Sequence, residues 1–180
     1  MIILIAGPSG AGKSTLIHEF AKYKNIEIIV VDVLSKSNRN YTGDLSRNLI
    51  DSKTFFANKH SGKYKVIHNY DGAIYGYTIP TDCNNKHYVL DYAGEYPICA
   101  EMKNYYWKGI LVLPPNKDIL INRLILTKRQ ARIESACNEY QECLLELKED
   151  LYVNWLTYIS NDAESLENFV KQFIVRYLRN

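Results

Sequence analysis

The sequence predicts an α/β fold with three layers, built on a parallel five-stranded core sheet. Three observations support this prediction: short apolar runs recur along the chain, amphipathic helical patterns follow several of them, and a glycine-rich loop directly follows the first run. Parallel strands are buried on both faces and therefore read as continuous apolar runs rich in β-branched residues. Strands that alternate with helices form a parallel sheet covered by helices.

The strand-like runs and the helical patterns follow one another in a regular order. The predicted core strands are residues 2–6, 26–31, 88–90, 110–113 and 156–159, and helices are predicted over residues 15–23, 118–126 and 163–178. In the last of these helices the apolar residues recur at intervals of three and four, which places them on one face. This face predicts a helix docked on the sheet rather than a membrane anchor.

Two segments interrupt this order. Residues 34–87 are rich in Asn, Lys, Ser, Tyr and Gly and contain short alternating pieces, which predicts an inserted, partly antiparallel subdomain. Residues 127–132 form a shorter polar insert between two helices and are dense in positive charge. We therefore expect one domain with a core of residues 1–33 and 88–180, an insert at 34–87 and a short lid at about 126–132.

Composition and charge exclude several classes of function. The 180 residues fit one domain, and the formal net charge of +2 gives no electrostatic case for binding a nucleic-acid polymer. The four cysteines form no C-x-x-C pair, and no apolar run approaches the roughly 18 residues that a membrane helix needs. We therefore expect free thiols, a cytoplasmic location and no membrane partner. The sequence does not determine the oligomeric state, and we expect a monomer or a homodimer.

The glycine-rich loop carries the clearest chemical signal in the chain. Gly7, Gly12, Lys13 and Ser14 fit the pattern G-x-x-x-x-G-K-[ST] of a phosphate-binding P-loop, between a predicted strand and a predicted helix. Glycines let backbone N–H groups converge on phosphate oxygens, and a helix that begins at Lys13 points the positive end of its dipole at the same anion. The predicted ATP-binding residues of this loop are Ser9, Gly10, Ala11, Gly12, Lys13, Ser14 and Thr15.

Two side chains of the loop have predicted roles in phosphoryl transfer. Lys13 is expected to reach the β- and γ-phosphates of ATP, and the Ser14 hydroxyl is expected to ligate Mg²⁺. A P-loop alone does not identify the acceptor, because kinases, GTPase switches and ATP-driven machines all contain one.

The sequences of the loop and of several later segments resemble those of one protein family. Residues 7–16, with the sequence GPSGAGKSTL, closely resemble the P-loop of guanylate kinases. Further matches follow in order: residues 111–116 are similar to the family's I-F-I-x-P-P-S, Arg123 and Arg132 to its two R-L pairs, and residues 159–162 to its V-x-N-D. The resemblance implies a nucleoside monophosphate kinase that transfers a phosphoryl group from ATP to GMP with Mg²⁺.

The resemblance also implies which residues act on the donor side. Asn161 takes the place of the asparagine that lies beside the adenine of ATP. The lid is shorter than in the family and has no clear counterpart of the family's lid arginine. Either Arg129 or Lys128 takes the place of that arginine. The residues implied to surround the transferred phosphoryl group are Lys13, Arg123, Arg132 and Arg129, with Lys128 as the alternative to Arg129. Phosphoryl transfer needs such positive charge around the equatorial oxygens and little acid–base machinery.

Three further segments resemble the acceptor site of the family. Residues 35–39 are similar to S-x-T-T-R, residues 72–78 to G-N-x-Y-G-[ST]-[ST], and residues 89–94 to D-x-D-x-Q-G. In the family these segments hold the acceptor nucleotide and its phosphate, and the last of them lies near the metal. The residues implied to bind the acceptor are Ser35, Arg39, Tyr75, Thr78 and Asp91.

The chain departs from the family at the positions that read guanine. The glutamate that pairs with guanine is Val66 here, and the Ser or Thr that reads the base is Tyr77. The second arginine of the acceptor site is Thr42, and Arg47 falls near the place of the acceptor-site tyrosine. Val66 cannot accept the hydrogen bonds that guanine donates, and this loss relaxes discrimination between bases.

Three alternatives to a GMP kinase therefore stay open. The first is a kinase for another phosphorylated acceptor, such as a different NMP or dNMP, or ribose 1,5-bisphosphate, whose kinases residues 75–80 mildly resemble. The second is a catalytically impaired nucleotide-binding module, which the intact Lys13 and Ser14 disfavour. The third is a nucleotide-hydrolysing switch, which is disfavoured because no D-x-x-G with a following Gln comes after the strand that ends at Asp91.

Overall fold

The computed structural model describes residues 1–35, 44–70, 72–80, 86–92, 105–148, 155–161 and 163–178. The strands are β1 (Ile2–Ala6), β2 (Ile26–Ile29), β3 (Val31–Ser35), β4 (Arg47–Leu49), β5 (Val66–Tyr70), β6 (Ala73–Tyr77), β7 (His87–Asp91), β8 (Trp107–Leu113) and β9 (Trp155–Ile159). The helices are α1 (Lys13–Phe20), α2 (Ser52–His60), α3 (Lys117–Leu126), α4 (Ile133–Lys148) and α5 (Ala163–Tyr177), and a 3₁₀ turn covers Gln130–Arg132.

The core sheet has five strands in the order β2-β7-β1-β8-β9. Each neighbouring pair is parallel, and every residue of the central strand β1 is buried. These are the five apolar runs of the sequence, so the predicted α/β fold with a parallel five-stranded core is confirmed. Continuous apolar runs mark such strands because helices or a second layer cover both faces.

Alternate residues of β1 enter two separate parts of the core. Ile3 and Ile5 pack in a cluster with α1 and α5, whereas Ile2 and Leu4 pack with side chains of a second sheet. The side chains of a strand alternate between its faces, so β1 joins both layers. On the helical side, the rings of Phe20 in α1 and Phe173 in α5 meet edge to face at 5.5 Å.

The second sheet is built from the strands of the insert, in the order β4-β3-β6-β5. Strand β6 pairs antiparallel with β3 and with β5, and β3 pairs parallel with β4. The predicted strand at 26–31 is divided between the sheets, because β2 ends at Ile29 and β3 begins at Val31. The second sheet therefore starts before residue 34, and its inner face packs against β1 through residues such as Val33 and Tyr77.

The ends of the helices differ from the sequence-based expectations. α1 begins at Lys13, where the glycine pattern predicts its start, and ends at Phe20, three residues before the end of the apolar pattern at 15–23. The helix α2 was not predicted, because Phe55 is its one buried residue and its pattern is therefore not amphipathic. Its start is nevertheless marked locally, since the Asp51 side chain accepts a hydrogen bond from the Thr54 N–H at 2.8 Å. None of the helices in the described part of the chain is long and apolar enough to cross a membrane.

A polar network on the outer side of the second sheet fixes α2 and the segment after it. The buried carboxylate of Asp32 accepts hydrogen bonds from Lys63 Nζ at 2.7 Å and from the Tyr64 hydroxyl at 2.8 Å. The amides of Asn48 and Asn58 approach the same carboxylate, each at 3.3 Å. Burial alone would raise the pKa of Asp32, but these hydrogen bonds and the charge of Lys63 outweigh burial and hold that pKa below its usual value.

Candidate functional site

The P-loop connects β1 to α1 in a backbone conformation that requires glycine. Gly7 has φ of 137°, and a Cβ there would lie 2.1 Å from the Val112 carbonyl oxygen of β8. Gly12 caps α1 in a left-handed conformation with φ of 106° and offers no side-chain hydrogen bond. The first-turn N–H groups of α1 have no intrahelical acceptors, so they are available to an anion at the end of β1.

Lys13 lies folded across this loop. Its Nζ donates to the carbonyl oxygens of Gly7 at 2.7 Å and Pro8 at 3.0 Å. Burial lowers the pKa of the Lys13 ammonium, the negative charge of Asp91 opposes this shift, and the positive charge of Arg47 adds to it. A phosphate oxygen is a stronger acceptor for an ammonium than a carbonyl, so these contacts hold Lys13 beside the place that a phosphate would take.

The side chains of Ser14 and Thr15 are exposed at the first turn of α1. His18 Nδ1 lies 2.7 Å from the Ser14 carbonyl oxygen, and since a carbonyl only accepts, the imidazole donates there. The Ser14 hydroxyl is thus at the solvent side of the loop, where a metal bound to nucleotide phosphates would need it.

Arg123 supports the P-loop from α3. Its Nη1 donates to the Ser160 hydroxyl at 2.7 Å and to the Ala11 carbonyl at 3.2 Å, and its Nη2 donates to the Ser160 carbonyl at 2.6 Å. Ser160 Oγ also lies 2.6 Å from the Ala11 oxygen. Arg123 therefore joins the loop, α3 and the end of β9. Asn161 follows Ser160 and is exposed.

The lid and α4 close over the other side of the loop. Arg129 Nη2 donates to Ser9 Oγ at 2.8 Å, so of the two lid alternatives the structure brings Arg129 to the P-loop. Lys128 is exposed in a left-handed conformation with φ of 54°. Arg132 forms an ion pair with Glu139 at 3.2 Å, and the other oxygen of Glu139 accepts the Ser9 N–H at 2.9 Å.

An ion pair that contains Asp91, which is predicted to bind the acceptor, lies at the carboxyl end of β7. Arg47 Nη2 is 2.5 Å from Asp91 Oδ2, and the guanidinium lies 5.9 Å from the centre of the Tyr75 ring. Ser46 Oγ approaches the same Asp91 oxygen at 3.4 Å. The structure therefore brings together two of the predicted acceptor residues, Tyr75 and Asp91, and adds Arg47, which sequence reasoning had not assigned to the site.

The remaining predicted acceptor residues are placed differently. Ser35 is on the same face of the second sheet as Tyr75, because β3 pairs Ser35 with Ala73 and Val33 with Tyr75. Thr78 is exposed just after β6. Arg39 lies outside the described residues.

The two positions that read guanine in the resembling family belong to the apolar core here. Val66 of β5 is directly opposite Tyr77 of β6, and both side chains are buried in the cluster beside β1. The Tyr77 ring stacks on Tyr75 and lies tilted against Tyr92, with centroid distances of 6.5 and 5.9 Å. This region therefore contains packed aromatic and aliphatic side chains where the resembling family has a base-reading carboxylate.

One oxygen of Asp91 fits a role in holding a cation. Asp91 is 2% exposed, and its Oδ1 has no hydrogen-bond partner within the described ranges. A buried acceptor without a donor is costly unless a ligand satisfies it. The same ranges contain no cluster of three His, Cys, Asp or Glu side chains, and Mg²⁺ at phosphate sites is bound by one or two protein oxygens together with substrate phosphates.

Three residues of the candidate site were not predicted from the sequence, all for the same reason. Glu139, Ser160 and Arg47 take their places through contacts with parts of the chain that are distant in sequence. A weak signal existed for Arg47, which falls near the family's acceptor-site tyrosine, and for Ser160, which precedes the matched Asn161. Glu139 stands in an ordinary amphipathic helix and gives no such signal.

Comparisons with known proteins support the fold. No protein-family model matches the sequence, and no curated protein matches it. Among solved structures, the chain is similar to the crystal structure of guanylate kinase from Anaplasma phagocytophilum, with a TM-score of 0.67 and 15% sequence identity. The similarity covers 100% of this chain and 87% of that one. The chain therefore has a guanylate kinase-like fold along its whole length.

Proposed function

We propose that this protein is an ATP-dependent nucleoside monophosphate kinase of the guanylate kinase type, which converts ATP and GMP to ADP and GDP with Mg²⁺. The observation that carries the proposal is the meeting of two charged groups at the carboxyl ends of neighbouring strands. Lys13 is in the loop region after β1, Asp91 ends β7 and pairs with Arg47 of β4, and both members of that pair act on the pKa of Lys13. Ligands of open α/β sheets bind at this edge.

The donor side would act by positioning and by charge. The P-loop N–H groups would hold the phosphates of ATP, and Asn161 would lie beside its adenine. Lys13, Arg129 and Arg132 would surround the γ-phosphoryl group, and Arg123 would hold the loop in shape through Ala11. The bond from the γ-phosphorus to the β,γ-bridging oxygen would break as a bond to the acceptor's phosphate oxygen forms. The cations would offset the negative charge on the equatorial oxygens and on the leaving oxygen.

Mg²⁺ would be held by Ser14, the nucleotide phosphates and Asp91 Oδ1. When bound, it neutralises phosphate charge and aligns the donor for in-line transfer.

The acceptor side would bind a phosphate dianion. Arg47, which lies beside Tyr75 and pairs with Asp91 Oδ2, would bind that dianion. Ser35, Thr78 and Arg39 are the further residues proposed for the acceptor. Closure of the lid and the insert over both substrates would exclude water and limit hydrolysis of ATP.

A second candidate acceptor class is favoured by one observation. Val66 is 4% exposed and packs in the core, so the position that carries the guanine-pairing glutamate in the resembling family is neither charged nor accessible. A kinase for another NMP or dNMP, or for ribose 1,5-bisphosphate, would need no carboxylate there. We also propose a cytoplasmic enzyme, monomeric or homodimeric, without a nucleic-acid polymer or a membrane as partner.

An acceptor panel tests the proposal. The protein is incubated with ATP and Mg²⁺ and one of GMP, AMP, CMP, UMP, the dNMPs or ribose 1,5-bisphosphate, and ADP release is followed. We expect ADP release that depends on an acceptor. Release without acceptor dependence would indicate a hydrolase, and nucleotide binding without any release would indicate a catalytically impaired module.

A further inference from the structure

The P-loop is in contact with a carboxylate that is distant in sequence and belongs to α4. Glu139, in the second turn of α4, accepts the Ser9 N–H on Oε2 at 2.9 Å and the Arg132 guanidinium on Oε1 at 3.2 Å. Its side chain is 17% exposed and that of Arg132 is 23% exposed. The two oxygens of one carboxylate thus connect the loop with the base of the lid.

The chemistry of these contacts is that of a bound phosphate. P-loop N–H groups bind anionic oxygens, and lid arginines pair with the same anion. Glu139 presents one anionic oxygen to a loop N–H, that of Ser9, and the other to a lid arginine, Arg132. The second lid arginine, Arg129, is also at the loop, on Ser9 Oγ at 2.8 Å. Burial lowers the pKa of Lys13, and the negative charge of Glu139 is among the charges that oppose this shift.

The carboxylate and a phosphate cannot occupy this place together. Both are anions, and the Ser9 N–H points at one acceptor. When the phosphates of a nucleotide enter the loop, Glu139 has to leave Ser9, and Arg132 loses the carboxylate as its partner at the loop. The arginine then pairs with the phosphate instead.

We infer that Glu139 is an internal competitor for the phosphate site: its carboxylate holds the lid against the loop, and it releases Arg132 when a polyphosphate displaces it. The inference deepens the proposed function and rests on it, since it concerns the same donor site. Glu139 is therefore a gating residue: it sets the affinity for phosphate without touching the acceptor.

Binding experiments with Glu139→Gln test this inference. The glutamine keeps the size and one acceptor oxygen but removes the charge, and a neutral hydrogen bond is about half as strong as a charge-assisted one. We expect the Kd of inorganic tripolyphosphate, measured by calorimetry at fixed salt without Mg²⁺, to fall about fivefold, with a similar fall for ADP. Binding of adenosine, which has no phosphate, should not change.

Glu142→Gln is the matched control. Glu142 is an exposed carboxylate on the same helix, so its replacement changes the net charge of the protein equally. It should leave the Kd of tripolyphosphate within about twofold of the wild type, since exposed charges are screened. An equal effect of both variants would attribute the change to net charge and overturn the inference, as would unchanged or weaker binding by Glu139→Gln.

A measurement on the wild type keeps the inference testable if Glu139→Gln folds poorly. The Ser9 amide should be protected from hydrogen exchange in the ligand-free protein, and Glu139→Ala should remove that protection. Rapid exchange of Ser9 in the ligand-free wild type would overturn the inference by itself. None of these readouts needs turnover, so a failed acceptor panel would count against the proposed kinase activity and not against the competition by Glu139.

Discussion

The two sides of the candidate site are held together in different ways. On the donor side, charged side chains are hydrogen-bonded to the P-loop itself, as Lys13 is to Gly7 and Arg123 is to Ala11. On the acceptor side, stacked aromatic rings and aliphatic side chains pack around the ion pair of Arg47 and Asp91. The proposed donor side would therefore recognise phosphate through the backbone, whereas the proposed acceptor side would recognise its ligand through side chains.

This difference explains why the chain resembles guanylate kinases closely in the P-loop and differs from them at the positions that recognise guanine. Backbone N–H groups are present whatever the side chains are, so a P-loop needs only a few fixed residues, such as Gly7 and Gly12. A base is recognised through hydrogen bonds to side chains. One replacement, such as valine for glutamate at position 66, removes those hydrogen bonds and with them the discrimination between bases. The predictions below test this division, beginning with the largest expected effect.

Replacing Lys13 by alanine should have the largest effect. The ammonium is the one charged group that α1 places on the loop carbonyls, and loss of a charge that stabilises the transition state lowers kcat/KM by about a hundredfold or more. Lys22→Ala is the control, because Lys22 belongs to the turn after α1 and pairs with Glu19 at 2.5 Å. Steady-state rates with the best acceptor measure both. Wild-type rates in Lys13→Ala would remove Lys13 from the mechanism.

Replacing Arg47 by alanine should weaken binding of the acceptor more than binding of ATP. We expect KM for the acceptor to rise about tenfold, the equivalent of one charge-assisted contact, while KM for ATP stays within about twofold. The variant also leaves the buried Asp91 carboxylate without its cation, which should cost about 2 kcal/mol in the free energy of unfolding measured with urea.

The double variant Arg47→Ala, Asp91→Asn separates these two effects. It should recover stability relative to Arg47→Ala, because no unpaired charge stays buried, but it should not recover affinity for the acceptor. Equal increases of KM for both substrates in Arg47→Ala would show that Arg47 supports the whole site and not the acceptor pocket.

The sequence predicts those parts of the fold that are encoded by short, continuous segments of the chain. The five core strands coincide with the predicted apolar runs, and the start of α1 at Lys13 follows from the glycine pattern before it. α2 was missed because it is largely exposed and buries Phe55 alone. An apolar periodicity exists only where a helix packs on a core, so an exposed helix has no such pattern.

The candidate site was predictable only in part for a related reason. Ser9 and Glu139 are 130 residues apart, and Ala11 and Ser160 are 149 residues apart. No spacing rule connects such pairs, because their contact is created by the packing of α4 and β9 against the P-loop. The motif identifies the loop, and tertiary structure selects the side chains that reach it.

Arg123→Lys should have a moderate effect on the donor side. A lysine retains the charge but cannot reproduce the planar fork that reaches the Ser160 hydroxyl, the Ser160 carbonyl and Ala11 together. Loss of one such bond should lower stability by about 1 to 2 kcal/mol, or about 2 to 8 °C in Tm. Arg176→Lys on the exposed side of α5 is the control. An unchanged Tm in Arg123→Lys would mean that Arg123 does not hold the loop.

Asp32→Asn should weaken the insert with a defined pH dependence and leave the donor side intact. The pKa of Asp32 is lower in the folded state than its usual value of about 3.9. Above that pH, Asp32 is ionised in both states, and its contacts with Lys63 and Tyr64 contribute their full stability. As the pH falls below about 4, the unfolded chain takes up the proton first, so this contribution declines until the folded carboxylate is protonated as well.

The difference in the free energy of unfolding between wild type and Asp32→Asn, measured with urea, should therefore be largest at pH 5 to 7 and should shrink towards pH 3. Tyr64→Phe removes one donor but keeps the ring, which packs 5.0 Å from Phe55, and should show a smaller loss. A difference that stays constant down to pH 3 would attribute the effect to shape rather than charge. The Kd of ADP should be the same in all three proteins, because Asp32 acts on α2 and the second sheet and not on the P-loop.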